Sequence, residues 1–409
     1  MITVEEALQL VLANLPERRS EPIPLQSALG RVLAENLTAT CNIPPFDRSS
    51  MDGFAVRASD TEKAPVELAV AGEARAGGEN PLALRPGQAI SIMTGAPLPD
   101  GADAVQIVEQ TSLSADGRHV TIQKPVRRGQ NITPLGSEAA SGGLVLEMGR
   151  FVGPGELAVL ATFGYGSVKV WKKPTVALVT TGDELVDVFE TPRFGQIRNS
   201  NAYSIGAQLR FMGIEGDYLG TAHDDKNDLS RHVSRGLERD VLILTGGVSM
   251  GEYDYVKDVF GELGLEIVFT SVAMKPGKPT VFARKGDRLV FGLPGNPVSA
   301  FVAFENFVRP AVGRLCGLAK PELPRVEGIL VREMKQSPGR TAFLPARVRW
   351  DADGWNIEPL PWRGSADIIG FSRANAAVIF PGDRAFMARG EAAQAMLLPD
   401  FFQRMTVEG

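Results

Sequence analysis

Val241-Leu242-Ile243-Leu244-Thr245-Gly246-Gly247-Val248-Ser249-Met250-Gly251-Glu252-Tyr253-Asp254 opens on four apolar residues and closes on a carboxylate. An apolar run this short, bounded by glycines, is too brief for a helix and fits a strand buried on both faces of a parallel sheet. In an open α/β sheet, ligands lie beyond the carboxyl ends of the strands. Adjacent Gly246 and Gly247 let the backbone approach a ligand and turn N–H groups toward an anion. A helical pattern from Tyr255 to Leu263 follows and would aim its positive end at the same place. With Asp254 beside it, the turn reads as a site for a metal-bridged phosphate or oxyanion.

The arrangement recurs on either side. Val176-Ala177-Leu178-Val179 runs into Thr180-Thr181-Gly182-Asp183-Glu184. Asp217-Tyr218-Leu219-Gly220-Thr221 runs into His223-Asp224-Asp225, and Leu289-Val290-Phe291 into Gly292-Leu293-Pro294-Gly295-Asn296-Pro297. Helical patterns, Ser200 to Met212 and Lys226 to Glu238, separate these strands. Strand, helix, strand at this spacing predicts a doubly wound parallel sheet with right-handed crossovers. All four polar turns would then share one edge. A single acidic turn is ordinary solvated surface; several on one edge point to a site.

Composition limits the alternatives. The chain has 409 residues, 44% hydrophobic and 22% charged, enough for two to four globular domains. A net charge of −5 leaves no global field for nucleic acid or an acidic membrane, so any anion site must be built locally. Cys41 and Cys316 cannot make a disulfide framework or a structural zinc site. His119, His223 and His232 show no metal-ligand spacing and read as incidental. No apolar run approaches the length of a membrane span, and Glu5 and Glu6 stand where a signal peptide would be basic. The expected location is the cytoplasm.

Along the chain, Thr3-Val4-Glu5-Glu6 is a capping-box pattern opening a helix that Pro16 ends. A second helical patch is expected from Leu25 to Ala34. From Pro45 to Arg128 short β-forming runs (66–71, 89–93, 104–108, 119–123) alternate with Gly, Pro and Asp turns, a small β domain. Residues 129–172 include a strand at 144–146 and a helix at 154–162, and are expected to pack with residues 1–44 as a discontinuous arm. Residues 173–318 form the α/β domain. After the stiff Pro321-Glu322-Leu323-Pro324, alternating runs (326–331, 342–350, 376–380) predict a second β module over 319–409.

Familiar nucleotide motifs are absent. In Gly277-Lys278-Pro279-Thr280, Val272 stands where a P-loop needs its leading glycine, and Pro279 splits lysine from threonine. Met274-Lys275-Pro276-Gly277-Lys278-Pro279 is nevertheless a stiff loop carrying two cations, either a solvated turn or one wall of an anion site. Asp52-Gly53 is a favoured hairpin dipeptide, and Met93-Thr94-Gly95-Ala96 is equally open. Nothing resembles a Ser-His-Asp or Cys-His nucleophile.

Taken together, Ser50-Met51-Asp52-Gly53-Phe54-Ala55, Met93-Thr94-Gly95-Ala96, Thr181-Gly182-Asp183-Glu184-Leu185, Thr245-Gly246-Gly247-Val248-Ser249, Gly251-Glu252-Tyr253-Asp254, Lys275-Pro276-Gly277-Lys278-Pro279 and Gly292-Leu293-Pro294-Gly295-Asn296-Pro297-Val298-Ser299 closely resemble, in order and over nearly the whole chain, the MoeA and gephyrin E-domain family of molybdopterin molybdenumtransferases. The resemblance implies an elongated arm, a β domain, an α/β molybdopterin-binding domain and a C-terminal β barrel, assembled as a homodimer whose clefts each take the β domain of the partner. It implies insertion of molybdenum from molybdate into adenylylated molybdopterin, with Mg²⁺-dependent release of AMP, downstream of a molybdopterin adenylyltransferase as partner. Carried over residue by residue, Asp52, Thr94, Glu184, Asp224, Asp254, Lys275 and Lys278 would be catalytic. Gly246, Gly247, Ser249, Pro294, Pro297 and Ser365 would bind substrate, and Asp183 and Asp254 would bind metal. The C-terminal match is looser: Gly339-Arg340-Thr341-Ala342-Phe343 is followed by Leu344-Pro345-Ala346 before Arg347, which leaves the register of Arg347 open. Two other readings stay in play. An adenylyltransferase shares the α/β domain but lacks the other three, and a non-enzymatic scaffold would not need Asp183, Asp254, Lys275 and Lys278.

Overall fold

In the computed structural model, which describes residues 1–77, 83–247 and 255–405, the chain divides into two compact units. One comprises residues 1–23, 30–34 and 169–409, the other 24–29 and 35–168.

The larger unit begins with helix α1, Val4–Ala13. Thr3 Oγ1 accepts from Glu6 N (3.1 Å) while Glu6 Oε2 accepts from Thr3 N (2.8 Å), the capping box expected. Its apolar stripe, Val4, Ala7 and Val11, is buried in the core of the α/β sheet. That sheet is built from β1 (Val176–Thr181), β2 (Gly216–Ala222), β3 (Val241–Thr245), β4 (Glu266–Phe269), β5 (Val281–Lys285) and β6 (Arg288–Leu293) in the spatial order β2-β1-β3-β6-β5-β4. The first four run parallel, with Val176 beside Val241 and Val241 beside Leu289. Of these, β1, β3 and β6 carry the near-continuous apolar runs of strands covered on both faces, whereas edge strand β2 is only partly buried. The sheet then goes beyond the sequence reading. Antiparallel β5 and β4 extend it at one edge, so it is mixed rather than wholly parallel. Helices Ser200–Phe211, Lys226–Gly236 and Tyr255–Glu262 stand within two residues of their expected bounds.

After β6 one long helical segment runs from Pro297 to Leu315, interrupted by a π-helical turn at Phe304–Val308. There Arg309 N–H reaches five residues back to Phe304 O. The widening precedes Pro310, whose ring would otherwise press on the preceding turn. It also seats a buried ion pair. Glu305, 1% exposed, accepts from Arg309 Nε and from Gln208 Nε2 (2.7 Å). Burial pushes the Glu305 carboxyl up, and the Arg309 charge opposes that shift.

The C-terminal β module is a closed barrel. Strands β7 (Arg325–Leu330), β8 (Thr341–Asp351), β9 (Gly354–Pro359), β10 (Ala376–Phe380) and β11 (Ala392–Leu397) pair β8-β9-β7-β11-β10, and β10 returns to β8. Closure removes the free edges of the sheet. Met274–Lys275 adds to its outside, parallel to β8, with Met274 beside Thr341 and Lys275 beside Ala342.

The smaller unit holds a six-stranded mixed sheet in the order Ala104–Ile107, Gly53–Val56, Gln88–Ile92, Val66–Ala74, His119–Ile122, Thr111–Leu113. Phe54, Val56, Leu68, Val120 and Ile122 pack on one face, and Ala55, Ile90, Ile92 and Val105 on the other. Leu37–Thr38 pairs with Leu144–Leu146, and helix Pro154–Thr162 is present as expected. The helix expected from Leu25 to Ala34 is not. Only Leu25–Ser27 makes a helical turn, because Gly30 takes φ +74° and Leu33 goes on to bridge Val170. Among the described residues no helix is long and apolar enough to cross a membrane.

Candidate functional site

Because β1, β2, β3 and β6 are parallel, Thr181-Gly182, His223-Asp224, Gly246-Gly247 and Pro294-Gly295-Asn296 leave the sheet at one edge. They border a cleft of about 750 Å³ lined by Glu184, Asp224, Thr245, Gly246, Gly247 and Pro297 among others. Past the shared Pro279, Pro294 and Asn296 it continues into about 530 Å³ bordered by Lys275, Lys278, Arg340, Trp362, Arg363 and Ser365.

The first part is built on the Thr181–Gly246 contact. Gly246 has φ +90°, and a Cβ there would stand 2.5 Å from Thr181 O and 2.7 Å from Thr181 Oγ1. Gly246 N donates to Leu293 O (3.1 Å), tying the turn to the next loop. Gly246→Ala should therefore strain the backbone and force the Thr181 strand end away, costing about 1–3 kcal/mol. Equilibrium unfolding and ligand titration of the variant check this; unchanged stability and affinity would refute it.

Three buried polar atoms at this cleft, Thr181 Oγ1, Thr245 Oγ1 and Asn201 Oδ1, have no hydrogen-bond partner among the described residues. Buried polar atoms are rarely left so. Asn201 is held by its Nδ2, which donates to Gly295 O (2.7 Å), so its oxygen is aimed by a fixed amide.

The second part is cationic: Lys275, Lys278, Arg340 and Arg363 line it with no carboxylate among its described lining residues. Lys275 Nζ donates to Gln336 Oε1 (2.7 Å). Ser365, the carry-over from the barrel, lines this part of the cleft. Its Oγ accepts from Asn296 Nδ2 (2.9 Å) and its carbonyl from Val298 N (3.1 Å).

Not every expected residue is among the described cleft lining. Asp183 is not among the cleft lining. Its exposed carboxylate turns to His223 Nδ1 (2.8 Å) and Asp224 N (3.4 Å). His223 is thus not incidental: the hydrogen bond to Asp183, then its charge, raises the imidazole above the ordinary histidine value. Asp254 and Ser249 lie outside the described residues. Arg340 lines the cleft; Arg347, seven residues along β8, does not, and stands opposite Glu358. Arg340, Arg363, Gln336, Asn201 and Asn296 were not anticipated. Asn296 inside the Pro294–Pro297 loop, Arg340 inside the Gly339–Phe343 stretch and Arg363 two residues before Ser365 carried a signal; Gln336 and Asn201 carried none. Cys316 offers no nucleophile, since burial pushes its thiol up to about 11.

Asp52 and Thr94 belong to the smaller unit and form a local pair. Asp52 Oδ1 accepts from Thr94 N (2.7 Å) and Thr94 Oγ1 (2.9 Å). Gly53 is required by close approach rather than by a hairpin turn: a Cβ would lie 1.9 Å from Gln106 O. The Thr94 backbone N–H, then its hydroxyl, hold the Asp52 carboxyl below the usual range. A depressed carboxylate favours the folded state above its unfolded value, and that contribution is lost as pH falls through the folded one. Thr94→Val should raise the Asp52 midpoint, yet leave it below the ordinary aspartate range because the backbone bond persists. Carboxyl NMR of the folded protein measures it; an unmoved midpoint would show that the hydroxyl contributes nothing.

Comparison with known proteins covers nearly the whole chain. Residues 2–164 match the MoeA N-terminal region (domain I and II), residues 177–314 a probable molybdopterin binding domain, and residues 327–398 the MoeA C-terminal region (domain IV). A molybdopterin molybdenumtransferase of Staphylococcus aureus (strain MRSA252) is 36% identical over 393 residues, spanning 95% of this chain and 93% of that protein. One from Bacillus subtilis (strain 168) is 37% identical over 404 residues, spanning 97% and 94%. The crystal structure of a molybdopterin biosynthesis MoeA protein from Pyrococcus horikoshii superposes with a TM-score of 0.83 at 32% identity, over 97% of this chain and 99% of that one.

Proposed function

The chain belongs to the MoeA family of molybdopterin molybdenumtransferases, enzymes of molybdenum cofactor biosynthesis, and on that premise we propose that its cleft takes adenylylated molybdopterin and molybdate and releases AMP in a Mg²⁺-dependent step. The observation that carries this reading is the joining of two unlike walls in one cleft. Orphaned hydroxyl and amide oxygens border the part that holds the Gly-Gly turn, and four cations line the other part, with no carboxylate among its described lining residues.

Each wall suits a different part of the substrates. Lys275, Lys278, Arg340 and Arg363 would hold molybdate and phosphate oxygens, the arginines in bidentate fashion. Fixed cations aimed at oxygens that gain negative charge lower a barrier without reorganising. Gly246 and Gly247 leave room for a phosphate against the backbone, and Asn296 with Ser365 would fix the barrel side of the cleft. Thr181, Thr245 and Asn201 would hydrogen-bond polar atoms of the pterin.

Asp183 and Asp254 would hold Mg²⁺. Among the described residues no group of three or more His, Cys, Asp or Glu side chains could hold a metal ion. Magnesium keeps several waters and takes one or two carboxylates together with substrate phosphates. The Asp183 side chain is 65% exposed and offers only oxygen donors. When bound, the ion would neutralise charge on the phosphoanhydride. The reading further includes a homodimer, a molybdopterin adenylyltransferase as the supplier of substrate, and a cytoplasmic location in which Cys41 and Cys316, unpaired here, stay thiols.

The test is turnover with adenylylated molybdopterin, molybdate and Mg²⁺, with AMP measured and chelator as control. AMP release that needs both molybdate and Mg²⁺ is expected; no release with all three present would overturn the reading. Light scattering of the purified protein checks the dimer, and a mass of one chain would refute it.

A further inference from the structure

A second charged cavity lies at the opposite edge of the α/β sheet. Lys173 stands just before β1, Asp240 just before β3, and Arg288 opens β6. These are the amino ends of strands whose carboxyl ends form the cleft. The five residues of β3 separate the two places by about 16 Å at the usual rise per residue. The cavity holds about 460 Å³ and is bordered by Arg18, Arg19, Lys172, Lys173, Lys285 and Arg288. Against these six cations stand three acids, Glu17, Asp240 and Asp287. The local balance is +3, in a chain of net charge −5.

The acid at its centre is already engaged. Asp240 Oδ1 accepts from Arg19 Nη2 and Arg288 Nη1 (2.5 and 2.6 Å), and its Oδ2 from Thr175 N and Oγ1 (both 2.9 Å). The carboxylate therefore frames two guanidiniums, and each, with five N–H donors, keeps capacity for a second acceptor. Arg18 stacks on Trp171, 4.1 Å from the ring centroid. Stacking fixes its plane while leaving its N–H edge to hydrogen-bond. Burial, then the nearby Arg31 charge, pulls Lys173 below the ordinary lysine range, and its Nζ donates to Gly213 O. The apolar lining is confined to Pro16, Pro174 and Leu315, and Arg18 covers the Trp171 ring. No platform remains for a pterin or adenine.

We propose that this cavity is a second anion site, separate from the cleft, that binds a compact, multiply charged oxyanion of the phosphate or diphosphate class. Inorganic diphosphate titrated calorimetrically into the full chain is the probe. Lys278→Ala serves as background, so that binding in the cleft is weakened. In that background diphosphate should bind once per chain, with a Kd that rises with salt. Adding Lys172→Gln and Lys285→Gln should then weaken binding about tenfold or more, since two charges facing the anion are lost. Both side chains are exposed, so the unfolding curve without diphosphate should not move. AMP release by the double variant with Lys278 intact should also match wild type. No binding in the Lys278→Ala background, or a Kd indifferent to the two glutamines, would overturn the proposal.

Discussion

Lys278→Ala should lower kcat/KM for AMP release by about a hundredfold or more, the size seen when one preorganised donor to a developing oxyanion is removed. Lys278 belongs to a wall of four cations with no carboxylate among its described lining residues, so no acid of that described wall already neutralises it. The backbone that presents it is held at Lys278 itself, whose O accepts from Val272 N (3.0 Å) and Thr280 N (2.9 Å). The variant thus loses a charge from a rigid frame rather than a flexible tail. Lys278→Arg keeps the charge but changes its reach, and should recover only part of the activity. If the alanine variant turned over normally with unchanged salt dependence, the loop would be only a turn.

The second large effect concerns stability. Arg309→Ala should destabilise the larger unit by about 3–5 kcal/mol, because it leaves Glu305 buried without its counter-charge. Glu305 is 1% exposed and Arg309 9% exposed, so water cannot substitute for the missing guanidinium. The double change Glu305→Met with Arg309→Met should be far milder, since an apolar pair of similar volume carries no uncompensated charge. Urea unfolding of the three proteins decides it. A double variant as unstable as the single one would mean that the π-helical turn itself, and not the charge, depends on the pair.

What the chain order disclosed, and what it hid, follows from range. The buried runs Val176–Val179 and Val241–Leu244 announce themselves because parallel strands are apolar on both faces, and the turns after them then have one place to go. Strand β4, Glu266–Phe269, is only partly buried and lies at the sheet edge, so its pattern is weak. The Leu25–Ala34 patch misled because helical spacing weighs little against a glycine at φ +74°. Site residues inside contiguous motifs (Glu184, Asp224, Gly246, Lys278, Pro294) were legible. Arg340, though inside the Gly339–Phe343 stretch, Arg363, though beside Ser365, and Gln336 were not read as site residues, since the barrel brings them to the cleft across long stretches of chain. The orphaned oxygens of Thr181, Thr245 and Asn201 were equally hidden. An unmet hydrogen bond is a property of packing, and a threonine at the end of a strand looks the same with or without one.

Residues 274–275 belong to the α/β domain by chain order, yet their ladder partners, Thr341 and Ala342, are in the barrel. Thr341 N also donates to Ala273 O (3.0 Å). The barrel is therefore not a module that can be traded between relatives at the Pro321–Pro324 linker. A chimera joined there would inherit its lysine loop from one parent and the strand that sets that loop's register from the other. Only parents matched at both ends of this ladder should give an active hybrid, although each half would look complete on its own.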